Sequence, residues 1–176
     1  MPAGSTYTPI ATTTLGSAQT AVTFSSISGS YTDLVLIIQA ATTHTDSTFL
    51  TLTLNSDTGS NYSLTEVYGN GSSATSTRAS SLSQGYINSG TALSTTVGNN
   101  VTIVNLMNYS NTTTNKTYLV RQNQPAAIDY TGTGALVGLW RNTSAINSVK
   151  IENWRAGAAR NFATGSTFTL YGIASA

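Results

Sequence analysis

His44 is the only histidine in the chain, and Asp46 stands two residues after it in the stretch TTHTDS. An imidazole, a carboxylate and a serine together make an acyl-transfer triad: the ring takes the serine proton and the carboxylate orients the ring. Serine is plentiful, with 23 residues, but none lies in the G-x-S-x-G turn that presents a nucleophile. A histidine among threonines and serines is expected instead as a solvated loop residue. The six acids are Asp33, Asp46, Asp57, Glu66, Asp129 and Glu152. Glycoside hydrolysis needs two carboxyl groups opposed across the scissile bond, and this spacing singles out no pair. The sequence therefore predicts a protein that is not an enzyme.

Metal chemistry is equally thin. The chain has no cysteine, which removes disulfides, thiolate ligands and cysteine nucleophiles, and one histidine cannot complete a zinc site. NSDTGSN (55–61) offers oxygens at alternate positions, as calcium loops do. It lacks the D-x-[DN]-x-[DN]-G order and the closing glutamate, so it is expected as a turn whose Asn and Asp side chains bond their own backbone. No metal and no cofactor are expected. Seven N-x-[ST] sequons occur, but 15 asparagines in a chain with 55 Ser and Thr residues generate about five by composition alone.

Two Trp-Arg pairs carry more information: Trp140-Arg141 in LWRN and Trp154-Arg155 in NWRA. Tryptophan and arginine are what interfaces and sugar platforms share. On a strand, neighbours point to opposite faces, so each pair divides between two surfaces and makes no single Trp-Arg patch. Either each Trp is core with its Arg in solvent, or one of the two serves an interface or a glycan. Tyr62, Tyr68 and Tyr86 are further candidate sugar platforms.

The elements that would hold these residues are strands. Charged residues make up 7% of the chain against an ordinary ~25%, while hydrophobic residues reach 39%. The polar surface is thus built from hydroxyls and amides. With a net charge of +1 and no basic run, a nucleic-acid partner is not expected. The N-terminal decapeptide has no basic segment followed by an apolar one, and LVLII (34–38) is far too short to span a bilayer. No membrane partner is expected. Alternating or doubly apolar runs mark strands at 9–15, 20–27, 32–40, 48–56, 62–69, 100–110, 116–122, 135–142, 148–156 and 166–173. Ten short strands separated by turns predict an all-β fold, an antiparallel β-sandwich of jelly-roll type. No composition shift divides the chain, so residues 1–176 are expected as one domain, with 1–10 as an extended N-terminal arm. Residues 69–84, GNGSSATSTRASSLSQ, are expected as a long surface loop or a flat edge, and 156–165 as at most a single turn. TDLVLIIQA and GSTFTLYGI are apolar on both faces. Phe168 and Leu170 would fill the core, while Tyr171 and Ile173 would meet a loop or a neighbouring subunit.

SYTDLVLI (30–37), LNSDTGSNYS (54–63), NYSNTTTNKTYLVR (108–121), GLWRNTSAINSVKI (138–151) and FATGSTFTLYGI (162–173) resemble segments of small virion structural proteins of tailed bacteriophages, marine and cyanobacterial phages among them. The blocks occur in order and cover most of the chain from Ile10 onward. The resemblance implies a β-sandwich on the exterior of the virion, folded in the host cytoplasm. One implied role is a capsid decoration, or cement, protein on the head. Its partners would be the major capsid protein and copies of itself in a homotrimer. The other is a tail or fibre module that binds host surface polysaccharide. No catalytic or metal residue carries over. The interface or glycan candidates are Trp140, Arg141, Trp154, Arg155, Tyr171 and Ile173, with residues 1–10 as a further contact segment.

Overall fold

A computed structural model describes residues 6–90, 92–124 and 132–174. In chain order the strands are β1 (Tyr7–Thr14), β2 (Ala21–Phe24), β3 (Asp33–Gln39), β4 (Phe49–Leu54), β5 (Tyr62–Gly69) and β6 (Ala74–Leu82). They continue with β7 (Gly85–Tyr86), β8 (Val101–Met107), β9 (Lys116–Gln124), β10 (Gly132–Trp140), β11 (Val149–Arg155), β12 (Ala158–Arg160) and β13 (Thr167–Ile173). The described residues contain no helix. The Thr, Val, Ile and aromatic content explains this, since branched and aromatic side chains suit a pleated, half-buried surface.

Two antiparallel sheets form. The larger has eight strands in the order β1-β13-β3-β8-β9-β10-β5-β6. The smaller has five, β12-β11-β4-β7, with β2 pairing β11 beside β12. The antiparallel β-sandwich expected from the strand pattern is what the chain forms, and its strand order, rather than the name jelly roll, defines it. Period-2 alternation drives the packing. Leu50, Leu52 and Leu54 of β4 and Val149 and Ile151 of β11 face Leu34, Leu36, Val104, Val120, Leu136 and Leu170 of the larger sheet in one continuous core. Each such side chain contributes about 1.5–3 kcal/mol when taken out of water. Phe168 and Leu170 do fill the core, and Phe168 meets Phe162 edge to face at 5.0 Å.

Close packing between β9 and β10 depends on a missing side chain. Gly138 pairs with Tyr118 in register, and a Cβ on Gly138 would lie 1.9 Å from the Tyr118 ring. The ring lies flat over that glycine, and its hydroxyl donates to the Tyr86 carbonyl in the opposite sheet at 3.1 Å. One strand thereby ties the two layers together. At the end of the same strands Lys116 is buried, its ammonium donating to the carbonyls of Thr114 (2.7 Å) and Thr143 (2.9 Å). Burial lowers its pKa.

The structure specifies three expectations about elements. Residues 1–5 lie outside the described residues, but Tyr7–Ile10 are not a free arm: they belong to β1, where Tyr7, Thr8 and Pro9 pair with Ile173, Gly172 and Tyr171. Pro9 is tolerated because β1 is an edge strand. Of the two expectations for 69–84, the flat edge is the one observed, since β6 is a nine-residue strand closing the larger sheet. Within 156–165 the chain makes strand β12 after a two-residue turn, with Ala156 at φ 49° and Gly157 at φ 79°. Both residues are left-handed, as hairpin turns of this twist require.

Candidate functional site

Two surfaces stand out. The first is the outer face of the larger sheet. Register carries one row across it through Tyr171, Val35, Asn105, Leu119, Val137 and Thr65. The next row runs through Thr169, Ile37, Ile103, Arg121, Ala135 and Val67. This is the second face of the doubly apolar strands. Part of its cover is internal: Val35 is buried, and Tyr171 is half-buried against Tyr7 of β1, ring to ring at 6.2 Å and 83°. Ile173 is likewise half-buried beside the same edge. Tyr7 is itself exposed at that edge, and further exposed apolar side chains lie farther along, at Val137 (52% exposed), Val67 (55%) and Met107 (39%). Sequence periodicity points to β13, whereas the exposed apolar side chains stand on β1, β5, β8 and β10.

The second surface is a cleft of about 470 Å³. Strand β7, the edge of the smaller sheet, packs beneath β10 and β5, and β6 extends past it. The overhang opens a cleft beside the inward side chains at the end of β5 and along β6. Leu64, Tyr68, Thr77, Ala79 and Leu82 line one wall. Phe49, Tyr86, Trp154 and the Ala156–Gly157 turn line the other, with Ser89 between. Phe49 and Trp154 are an in-register pair of β4 and β11. Three of the proposed sugar platforms, Tyr68, Tyr86 and Trp154, therefore converge in one place, and no charged side chain lines it.

Beneath the cleft lies Glu66, fully buried. One carboxylate oxygen accepts from the Ser89 amide (3.1 Å), the Ser89 hydroxyl and the Gly90 amide (2.9 Å); the other accepts from Gln122 Nε2 (2.8 Å). Four donors meet the Glu66 carboxyl group, two of them backbone amides. No cation pairs with it among the described residues. Sequence reading counted Glu66 only among scattered acids. The signal was nevertheless present, because Tyr62, Leu64 and Glu66 alternate on one face of β5, and the first two are core.

The remaining candidates separate cleanly. Trp140 is not a platform. It is fully buried, stacks on Tyr62 at 6.3 Å and 18°, and donates its indole N–H to Asp57 Oδ2 at 2.7 Å. Asp57 also accepts from Asn61 Nδ2 (2.8 Å) and the Gly59 amide (2.8 Å), so NSDTGSN is the self-bonded turn expected. Partial burial raises the Asp57 pKa, but hydrogen bonds from Trp140, Asn61, Gly59 and Asn142 outweigh that and hold it below the usual value. Arg141 is exposed along a shallow groove with Arg78, outside the cleft. Arg155 donates to the Ser47 carbonyl and lies 3.6 Å from Asp46, pinning the loop before β4. His44 Nδ1 accepts the Asp46 amide at 3.1 Å, as a local turn residue does.

No protein-family model, no curated protein and no solved structure matches this chain.

Proposed function

We propose that this chain is a structural component of a tailed-phage virion, a decoration protein that stabilises the head by bridging capsid subunits. The observation that carries the proposal is the broad outer face of the eight-stranded sheet, where Val67, Val137 and Met107 are exposed. Apolar side chains exposed on a broad sheet face favour contact with a neighbouring subunit over contact with water. The partners in this reading are the major capsid protein and copies of the same chain in a homotrimer on the head exterior. Light scattering coupled to size exclusion tests the assembly step: a trimer is expected, dissociated by Val67→Asp with Val137→Asp. A monomer at all concentrations, unchanged by those substitutions, removes the self-assembly part of the proposal.

A second reading, a tail or fibre module that binds host polysaccharide, is favoured by one observation, the convergence of Tyr68, Tyr86 and Trp154 in the cleft. Host-cell adsorption unchanged by Trp154→Ala would count against it.

A further inference from the structure

We infer that the cleft between β6 and the β11–β12 turn binds an uncharged pyranose unit of a glycan, with the aromatic side chains taking the sugar's C–H face and Ser89 accepting from its hydroxyls. This rests on the second reading above and adds the ligand class. The volume, about 470 Å³, lies within the ~300–1,000 Å³ of ligand pockets, and the lining has their composition: apolar and aromatic walls with a few convergent polar groups. A pyranose matches that lining because one of its faces is C–H and its rim is hydroxyl. Tyr and Trp present an apolar body with a polar edge to such a ligand.

The floor decides between neutral and acidic sugars. The Ser89 hydroxyl donates to Glu66, so Ser89 turns lone pairs, and not its hydrogen, toward the cleft. The site therefore offers an acceptor to a donor-bearing ligand. A carboxylate or sulfate would meet that acceptor and, one hydrogen bond farther, the acceptor oxygens of Glu66. No lining cation would offset the repulsion. Arg155, between the lining residues Trp154 and Ala156, is engaged by the Ser47 carbonyl and Asp46, and Arg78 and Arg141 line the separate groove.

The site is also held in shape before any ligand arrives. Glu66 fixes both the Ser89 and Gly90 amides, and the Tyr68 ring lies on Gly90, where a Cβ would come within 2.1 Å of it. Fixing these groups in advance reduces the ordering cost of binding.

Intrinsic tryptophan fluorescence tests this directly, since Trp140 is buried and Trp154 lines the cleft. The intact chain is titrated with neutral oligosaccharides of glucose, mannose, galactose and N-acetylglucosamine, and with uronic-acid and sialylated oligosaccharides. The expected result is a saturable change with a neutral sugar. Its affinity should fall by at least about tenfold in Ala156→Arg, which crowds the rim from an exposed turn, and likewise, by calorimetry, in Trp154→Ala. Neutral-sugar binding unaffected by both variants overturns the site. Binding of acidic sugars alone, lost in Arg141→Ala, overturns the site but leaves the glycan reading standing. Silence toward every sugar overturns both.

Discussion

Glu66 and the tyrosines around the sandwich interior set the chemistry of the fold at the scale of single residues. Removing the Glu66 carboxylate strands the Ser89, Gly90 and Gln122 donors inside the protein. Glu66→Ala is therefore expected to cost about 3 kcal/mol, a drop in Tm of roughly 6–12 °C for a chain this long, readable by calorimetry. Tyr62 adds a pH dependence. Burial, with a smaller push from Asp57, raises its hydroxyl from 10.0 to about 12 against the Leu54 amide hydrogen bond. Burial, with Tyr62 beside it, raises Tyr118 further in the same direction. The native state then keeps these protons to higher pH than the unfolded chain does. Their contribution is complete below about pH 10 and is lost as pH rises through the native values. The urea midpoint should fall steeply from about pH 10 upward, with a shallower slope in Tyr62→Phe; a midpoint flat across that range would contradict the assignment.

At the scale of elements, the strands were legible wherever both periodicity and apolar content spoke. The ten expected runs all contain strands, and Leu50, Leu52 and Leu54 fell on the core face that alternation gave them. Strand β6 was harder to see, because ATSTRASSL has almost no apolar side chains and is held by backbone pairing to β5. The two Trp-Arg pairs show the other limit. They look alike in sequence, yet Trp140, the last residue of β10, is buried against Tyr62. Trp154 lies near the end of β11, where the overhang opens. Which strand ends beside a cleft is a property of sheet widths, and no local pattern encodes it. Glycines give a sharp test at this scale. Gly138→Ala pushes a methyl into the Tyr118 ring and is expected to cost about 1–3 kcal/mol. Gly16→Ala, with nothing within 4 Å, should change stability by less than about 0.5 kcal/mol. Equal effects from both would contradict the ring-on-glycine packing.

Across the whole molecule, unequal sheet widths produce both surfaces of interest. Eight strands over five leave a wide outer face on one side and an overhung cleft at one edge. The first suits an extended protein neighbour and the second a small polar ligand, so the two readings use different parts of the same sandwich and are separable by variants. Val67→Asp with Val137→Asp lies at exposed positions and should leave the unfolding free energy within about 0.5 kcal/mol per site while removing assembly. The most direct test of the central claim, the proposed place on a phage head, is a cryo-EM map of particles from a phage that encodes this chain. The account predicts density for this sandwich on the head exterior, with the outer face of the eight-stranded sheet against a neighbouring subunit. A head shell without this chain, or one that leaves that face open to solvent, would contradict it.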